Sequence, residues 1–298
     1  MSFSSNVKAE LCRQPLNRKS SAIAACYGVL LYCNTFTAEL VQITTESRDF
    51  ADFLPKLFKK AFGFGFDEEP ESGMAGKLRF SVTDPEKLRK IYQSFGLTLA
   101  RNVTLHVNFG ILEDDADRAA FFRGVFLAGG SVTDPVKRYH LELVTSHFKV
   151  SREALALLMD MGFSPKETTR TGNCILYFKQ SDSIEDFLTV IGAQVSAMGV
   201  MEAKVEKDLR NGVNRRVNCE TANLDKAVDA SMEQIAAIRV LMKRPDWETL
   251  SPKLRQAAQL RLDNPEATLT ELAELFEPPL SKSAVNHRLR KLMELSKQ

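Results

Sequence analysis

Several absences narrow this chain at once. No apolar run approaches the roughly 18 residues that a membrane-crossing helix needs; the longest covers only residues 22–33. The first residues, M-S-F-S, offer neither the basic start nor the apolar run of a secretory leader, so a cytoplasmic protein with no membrane partner is expected. The five cysteines, Cys12, Cys26, Cys33, Cys174 and Cys219, are odd in number and form no C-x-x-C pair. That excludes a disulfide framework and a thiolate zinc site, and leaves reduced, mostly buried thiols. Histidine is scarce at four residues, and His140 and His147, seven apart, complete no recognisable ligand set. No metal and no cofactor is expected. Net charge is also nearly absent, at +2 over 298 residues, so any basic surface must be balanced by acidic surface elsewhere.

What is present is enough apolar material for real cores, 44% of the chain, and enough length for two or three domains. The pattern turns on residues 117–135, D-R-A-A-F-F-R-G-V-F-L-A-G-G-S-V-T-D-P. Phe121, Phe122, Val125 and Phe126 make a broad helical stripe. Gly124, Ala128 and Gly129 interrupt it with small side chains, which permit close approach of a second helix backbone. Gly129-Gly130 ends the helix and residues 131–133 start a strand. Residues 22–33 read the same way when Gly28 is laid on Gly124, an offset of 96 that also aligns Val29 with Val125 and Leu31 with Leu127. The likeness continues through residues 39–45 and 139–145, 50–64 and 150–163, and 77–82 and 173–179, and the last helices stop at Gly96 and Gly192. This is an internal repeat of helix, strand, strand, helix, strand, strand, helix, over about residues 18–96 and 117–193. The expected fold class is α+β, with a double-repeat domain over residues 1–203. Residues 97–115 join the halves, and the alternation 103–107 reads as a strand.

Residues 204–230 change character. Five of the thirteen residues 204–216 are basic, including Arg210, Arg215 and Arg216, and four Asn follow between 211 and 223. This composition fits a basic linker, with nucleic-acid contact as the other reading. From residue 231 to 298 the periodicity is all helical, with Ser251-Pro252 and Ser281 as helix starts and Asn264-Pro265 and Pro278-Pro279 as breaks. In the last helix Val285, Leu289 and Leu292 share one side. Ser283, His287 and Arg290 lie opposite, flanked by Asn286 and Lys291. Residues 281–298 hold Lys282, Arg288, Arg290, Lys291 and Lys297 against a single acid, Glu294. A short helix, a turn and a longer helix with such a face form a helix-turn-helix pattern, in which Ser281, Lys282, Ser283, Asn286, His287, Arg288, Arg290 and Lys291 are the candidate DNA contacts.

The paired glycine-bearing helices and the αββαββα order resemble the LAGLIDADG homing endonucleases. In that family each of the two helices ends in an acidic residue, and the two carboxylates hold divalent metal. Laid on the motif, residues 122–130 put Gly129 at the acidic position and residues 26–34 put Cys33 there. Glycine supplies no ligand and a thiol suits Mg²⁺ poorly, so these are degenerate former metal positions and no catalytic residue is assigned. Over nearly its whole length the chain resembles the WhiA family, through M-S-F-S-S-N-V-K-A-E-L at the start, F-R-G-V-F-L-A-G-G-S-V-T-D-P at 122–135, Y-H-L-E-L at 139–143, N-R-R-V-N-C-E-T-A-N at 214–223 and S-K-S-A-V-N-H-R-L-R-K-L at 281–292. The resemblance implies a two-repeat LAGLIDADG-like (αββαββα)2 domain followed by an all-α helix-turn-helix domain. It also implies a sequence-specific DNA-binding regulator of transcription, acting in cell division, chromosome segregation or sporulation and associated with the nucleoid. Double-stranded DNA at promoter sites is the expected partner, with RNA polymerase or other regulators as candidate protein partners. Two other readings stand beside it: a metal-dependent DNA endonuclease, and a protein-interaction platform carrying a DNA-binding tail.

Overall fold

The structure is a computed structural model and describes residues 2–71, 76–98 and 104–297. It opens with α1 (Phe3–Cys12), capped by the Ser2 hydroxyl, and α2 (Lys19–Leu31). Then come β1 (Thr35–Phe36), β2 (Val41–Thr45), α3 (Arg48–Phe62), β3 (Leu78–Val82) and α4 (Pro85–Ser94). The second half repeats the series with α5 (Asp115–Gly129), β4 (Gly130–Val132), β5 (Leu141–Thr145), α6 (Phe148–Asp160), β6 (Lys166–Arg170), β7 (Asn173–Phe178) and α7 (Ser181–Ile191).

α2 is buried on every side from Ala24 to Leu31, which only a surrounded helix tolerates. Its partner is α5, and the two backbones touch. A Cβ on Gly28 would stand 2.1 Å from the Phe121 carbonyl oxygen and 2.8 Å from the Val125 nitrogen. A Cβ on Gly124 would stand 2.0 Å from the Ala25 carbonyl oxygen and 3.0 Å from the Val29 nitrogen. The two sets are related by the same offset of 96, so the repeat legible in the sequence is a pseudo-twofold in space. The axis is also crossed by polar pairs: the Ser21 hydroxyl donates to Asp117 Oδ1 at 2.7 Å, and Arg18 meets Asp114 at 2.7 Å. Each again joins positions 96 apart. Aromatic rings fill the space around the pair, with Tyr27 stacked on Phe95 and tilted against Phe121.

Each repeat lays its sheet beside these helices. The first sheet has the order β1-β2-β3 and the second β4-β5-β7-β6, all antiparallel. Where the second repeat has β6, the first retains only a bridge between Glu68 and Ser81 among the described residues, so the halves have diverged. Buried and outward residues alternate along β5, with Leu141, Leu143 and Thr145 inward. The alternation 103–107 is not a strand over its described part: Leu105 and Val107 are buried in an irregular segment, and Val103 lies outside the described residues. The reason is local. The Val107 amide is taken by the Glu153 carboxylate at 2.6 Å and the Asn108 amide by the Tyr27 hydroxyl at 3.0 Å, so side chains, not a neighbouring strand, satisfy this backbone.

α8 (Gln194–Met242) is 49 residues long. Its N-terminus is capped by Glu10, whose carboxylate accepts from the Val195 and Ser196 amides at 2.7 and 2.9 Å. Residues 204–230, expected as a linker, are helical throughout. No proline falls between 194 and 242, and each Asn costs only a fraction of a kcal/mol in a helix, about 0.7 at most, so nothing stops a helix anchored at Glu10. The chain divides into two units, Met1–Asp208 and Leu209–Gln298, with the boundary inside α8.

In the second unit, the end of α8 is followed by α9 (Pro252–Asp263), α10 (Leu269–Glu274) and α11 (Lys282–Ser296). Ile238 and Leu241 of α8 share one core with Ala257, Ala258, Leu272, Phe276, Val285, Leu289 and Leu292.

Candidate nucleic-acid interface

The apolar stripe of α11 dictates what its other faces do. Val285, Leu289 and Leu292 are at most 1% exposed. One stripe of a 3.6-residue helix thus faces the core, and its opposite stripe must face solvent. Ser283, His287 and Arg290 are exposed there, as are Lys282 and Lys291 at its flanks. Lys291 has one partner, Glu294 at 3.7 Å with both side chains open to water, a pair worth at most about 1 kcal/mol and easily exchanged for a phosphate.

Two other candidates on this helix, Ser281 and Arg288, have structural work. The Ser281 hydroxyl accepts from the Ala284 amide at 3.2 Å, so it is the N-cap. Asn286 and Arg288 are half-buried, and the Arg288 guanidinium lies 5.1 Å from the Phe276 ring centroid. Arg210, Arg215 and Arg216 are exposed on α8. Arg216 precedes the core residue Ile238 by 22 positions, about 33 Å along a helix rising 1.5 Å per residue. The structure therefore gathers the α11 group into one face and leaves the three arginines on a separate stretch of helix.

Three features that fix α11 escape a reading by charge. Arg244 donates to the Leu295 and Ser296 carbonyls at 3.1 and 3.4 Å, closing the helix end. Arg261, 2% exposed, donates to the Ala267 carbonyl at 2.6 Å and holds the chain leading into α10; burial lowers its pKa. Thr268 and Glu271 form a reciprocal cap for α10. Only this last pair has a sequence signal, the T-x-x-E spacing of a capping box. The connection from α10 to α11, residues 275–281, is pinned by the Leu280 amide donating to the Ala273 carbonyl at 2.9 Å.

Cys33 and Gly129, which the LAGLIDADG resemblance sets at the metal-binding positions, lie in the first unit, at the ends of the central helices. A Cβ at Gly129 would meet the Val144 carbonyl oxygen at 2.5 Å and the Tyr32 ring at 2.8 Å, so a carboxylate side chain has no room there. The Cys33 thiol points back to the Leu30 carbonyl at 3.1 Å, and burial pushes its pKa up to about 12, which keeps it protonated and a poor ligand. Beside them a cation is built in: Lys8 Nζ donates to the Leu127 carbonyl at 3.0 Å, at the carbonyl end of α5. Desolvation brings its pKa down to about 8. The outward sheet surfaces are mixed in charge. On the second sheet Ser131, Glu142, Tyr177 and Lys166 form one row across the strands, with His140 3.3 Å and Arg170 3.7 Å from Glu142, and Lys179 over the Tyr177 ring.

Among the described residues, no helix is long and apolar enough to cross a membrane.

Comparison with known proteins agrees with this geometry. Residues 118–210 match the WhiA LAGLIDADG-like domain and residues 213–296 the WhiA C-terminal HTH domain. The chain is 35% identical to a protein of Clostridium acetobutylicum named probable cell division protein WhiA, covering 100% of this chain and 98% of that one. It is 36% identical, with the same coverage, to a protein of that name from Ruminiclostridium cellulolyticum. The fold is that of full-length WhiA from Thermotoga maritima, at TM-score 0.62 and 23% identity over 100% of this chain and 98% of that one. With two WhiA domain models matched in order over residues 118–296 and relatives aligned from end to end, the chain belongs to the WhiA family.

Proposed function

We propose that this chain is a sequence-specific DNA-binding regulator of transcription serving cell division, and with it chromosome segregation or sporulation, and that it does not cleave DNA. The observation behind the reading is the exposed stripe Ser283, His287, Arg290 on α11, opposite a fully packed stripe and flanked by Lys282 and Lys291. Hydrogen-bonding and cationic groups on a helix held at both ends are what reads base edges, with phosphate contacts setting the register. The Ser281-capped N-terminus of α11 adds the partial positive charge of a helix start. Arg210, Arg215 and Arg216 serve as additional backbone contacts on α8. The relatives named as cell division proteins supply the cellular setting, and association with the nucleoid follows from binding promoters. RNA polymerase or other regulators are the protein partners to seek.

The absence of cleavage rests on the crowding at Gly129 and the protonated thiol at Cys33, which leave neither helix end a carboxylate to hold a metal. Supercoiled DNA incubated with the protein and Mg²⁺ should stay uncut; site-specific linear product would restore the nuclease reading. For the main proposal, bound sites mapped across the genome give a cognate fragment. Arg290→Ala should weaken binding to that fragment by about 1–3 kcal/mol if Arg290 reads a guanine, or reduce the salt slope by about one if it meets phosphate. Unchanged affinity and slope, together with full binding after removal of residues 231–298, would remove DNA reading from α11.

A further inference from the structure

We propose that a cavity of about 510 Å³ beside the central helix ends is a binding site for a small phosphorylated ligand. Its wall is assembled from α1, the loop after α2, β2, β3 and the end of α5, all within the first unit. Three cations face it: Lys8 from α1, and Lys77 and Arg79 from the start of the β3 segment. Among the described residues, Glu46 is the one carboxylate in the lining. Lys77 and Arg79 are exposed and make no ion pair among the described residues, so their charge is not spent within the protein. Lys8 uses one hydrogen on the Leu127 carbonyl.

The local chemistry favours phosphate over other occupants. Helix carbonyl ends carry roughly half a negative charge each, which by itself would repel an anion. Lys8 sits on the α5 end and cancels that field there, and Lys77 and Arg79 stand on the sheet, away from the helix ends. The cavity stays net positive with Glu46 counted. Asn34 accepts from the Thr44 amide at 2.7 Å through its Oδ1, which leaves its amide NH2 group as a further donor beside Thr44 and Thr45. Donors and fixed cations without matching acceptors recognise phosphate oxygens. Bringing an anion to Lys8 also returns a partner to an ammonium that burial has weakened. The second repeat lacks the equivalent: the pairing Thr44–Arg79 on the first sheet corresponds to Val144–Ile175 on the second. The symmetry-related position therefore lacks the Arg79 cation, and the site is independent of DNA reading by α11.

The test titrates inorganic pyrophosphate into the full-length protein in a calorimeter at fixed ionic strength. One saturable site is expected. K77A/R79A, two exposed changes that spare the core, should weaken binding at least tenfold, and Lys8→Met should do the same. Lys166→Ala with Lys179→Ala on the other sheet should leave it unchanged, as should Arg290→Ala. No saturable binding, or K77A/R79A binding as well as the wild type, overturns the proposal. So does a short DNA duplex that displaces pyrophosphate and itself loses tenfold in affinity with K77A/R79A, because the cations then serve backbone phosphate.

Discussion

The α2–α5 pair and α11 are helices of similar length, 13, 15 and 15 residues, under opposite constraints. Around the crossing of α2 and α5 every direction is occupied. The backbones touch at Gly28 and Gly124, and the rings of Tyr27, Phe121 and Phe122 are fully buried. In α11 the stripe Val285, Leu289 and Leu292 is buried in the core with Leu295 packed beside it, and the opposite face answers to solvent. A helix enclosed on all sides has its composition set by packing and retains little freedom for recognition. A helix docked by one stripe keeps the rest for a ligand. On the function proposed above, recognition falls to α11, and the enclosed pair serves as a frame.

The contrast can be broken most severely at the crossing. Gly28→Ala or Gly124→Ala drives a methyl group into backbone atoms, which cannot step aside as a flexible side chain would. A loss of about 3 kcal/mol or more is expected in urea unfolding of the first unit, at the top of the usual range for overpacking; a loss below about 1 kcal/mol would mean that the helices separate easily. Next in size is Lys8. Its pKa is near 8 in the folded chain against 10.5 when free, so between those values the unfolded chain holds the extra proton and folding gains with rising pH. The buried ammonium is therefore at its most costly below pH 8. Stability of the wild type relative to Lys8→Met should rise by about 3 kcal/mol between pH 7 and 10.5, at 1.36 kcal/mol per pKa unit. The nearby Cys12 thiol, pushed up to about 12 by burial, titrates in both proteins, so its burial contribution drops out of that difference and only its attraction to Lys8 stays in it. A flat difference would place Lys8 in water.

On α11 the effect should separate by readout. Arg290→Ala should change unfolding by no more than about 0.5 kcal/mol and lower affinity for the cognate fragment about tenfold or more. Equal loss in both measurements would show that Arg290 holds the fold. The smallest change expected is a gain. Gly212 lies in α8, and a Cβ added there would have no neighbour within 4 Å. Gly212→Ala should therefore add up to about 1 kcal/mol of helix stability, seen as a higher melting temperature of the second unit. The same substitution thus has opposite signs at Gly28 and Gly212, decided by neighbours alone.

The repeat and the end helices are legible in the sequence because their signals are local. An offset of 96 survives as aligned glycines, and Ser281 followed by Val285, Leu289 and Leu292 gives a cap and a stripe in one short window. What escapes depends on distant partners. Residues 204–230 read as a linker from their arginines and asparagines, yet Leu209, Val213, Val217, Leu224 and Val228 already recur at three- and four-residue steps or their sums, the spacing of a helix. Lys8 has no neighbouring motif, and its meaning comes only from Leu127, 119 residues away. Arg244 and Arg261 look like ordinary surface charges until the carbonyls they hold are seen. The α11 face follows from composition and helical angle, but the division of labour inside it, with Ser281 capping and Arg288 over Phe276, is set by contacts that no local pattern announces.

The bonds across the pseudo-twofold have an evolutionary corollary. Arg18 meets Asp114 and Ser21 meets Asp117, each time a donor from one half against an acceptor at the corresponding place in the other. Two identical halves cannot make such pairs: a symmetric assembly would set Arg against Arg, or Asp against Asp, at the same spot. Joining the halves in one chain removes that prohibition, because each position can then carry a different residue on either side of the axis. A chain of two identical repeats would lose both pairs.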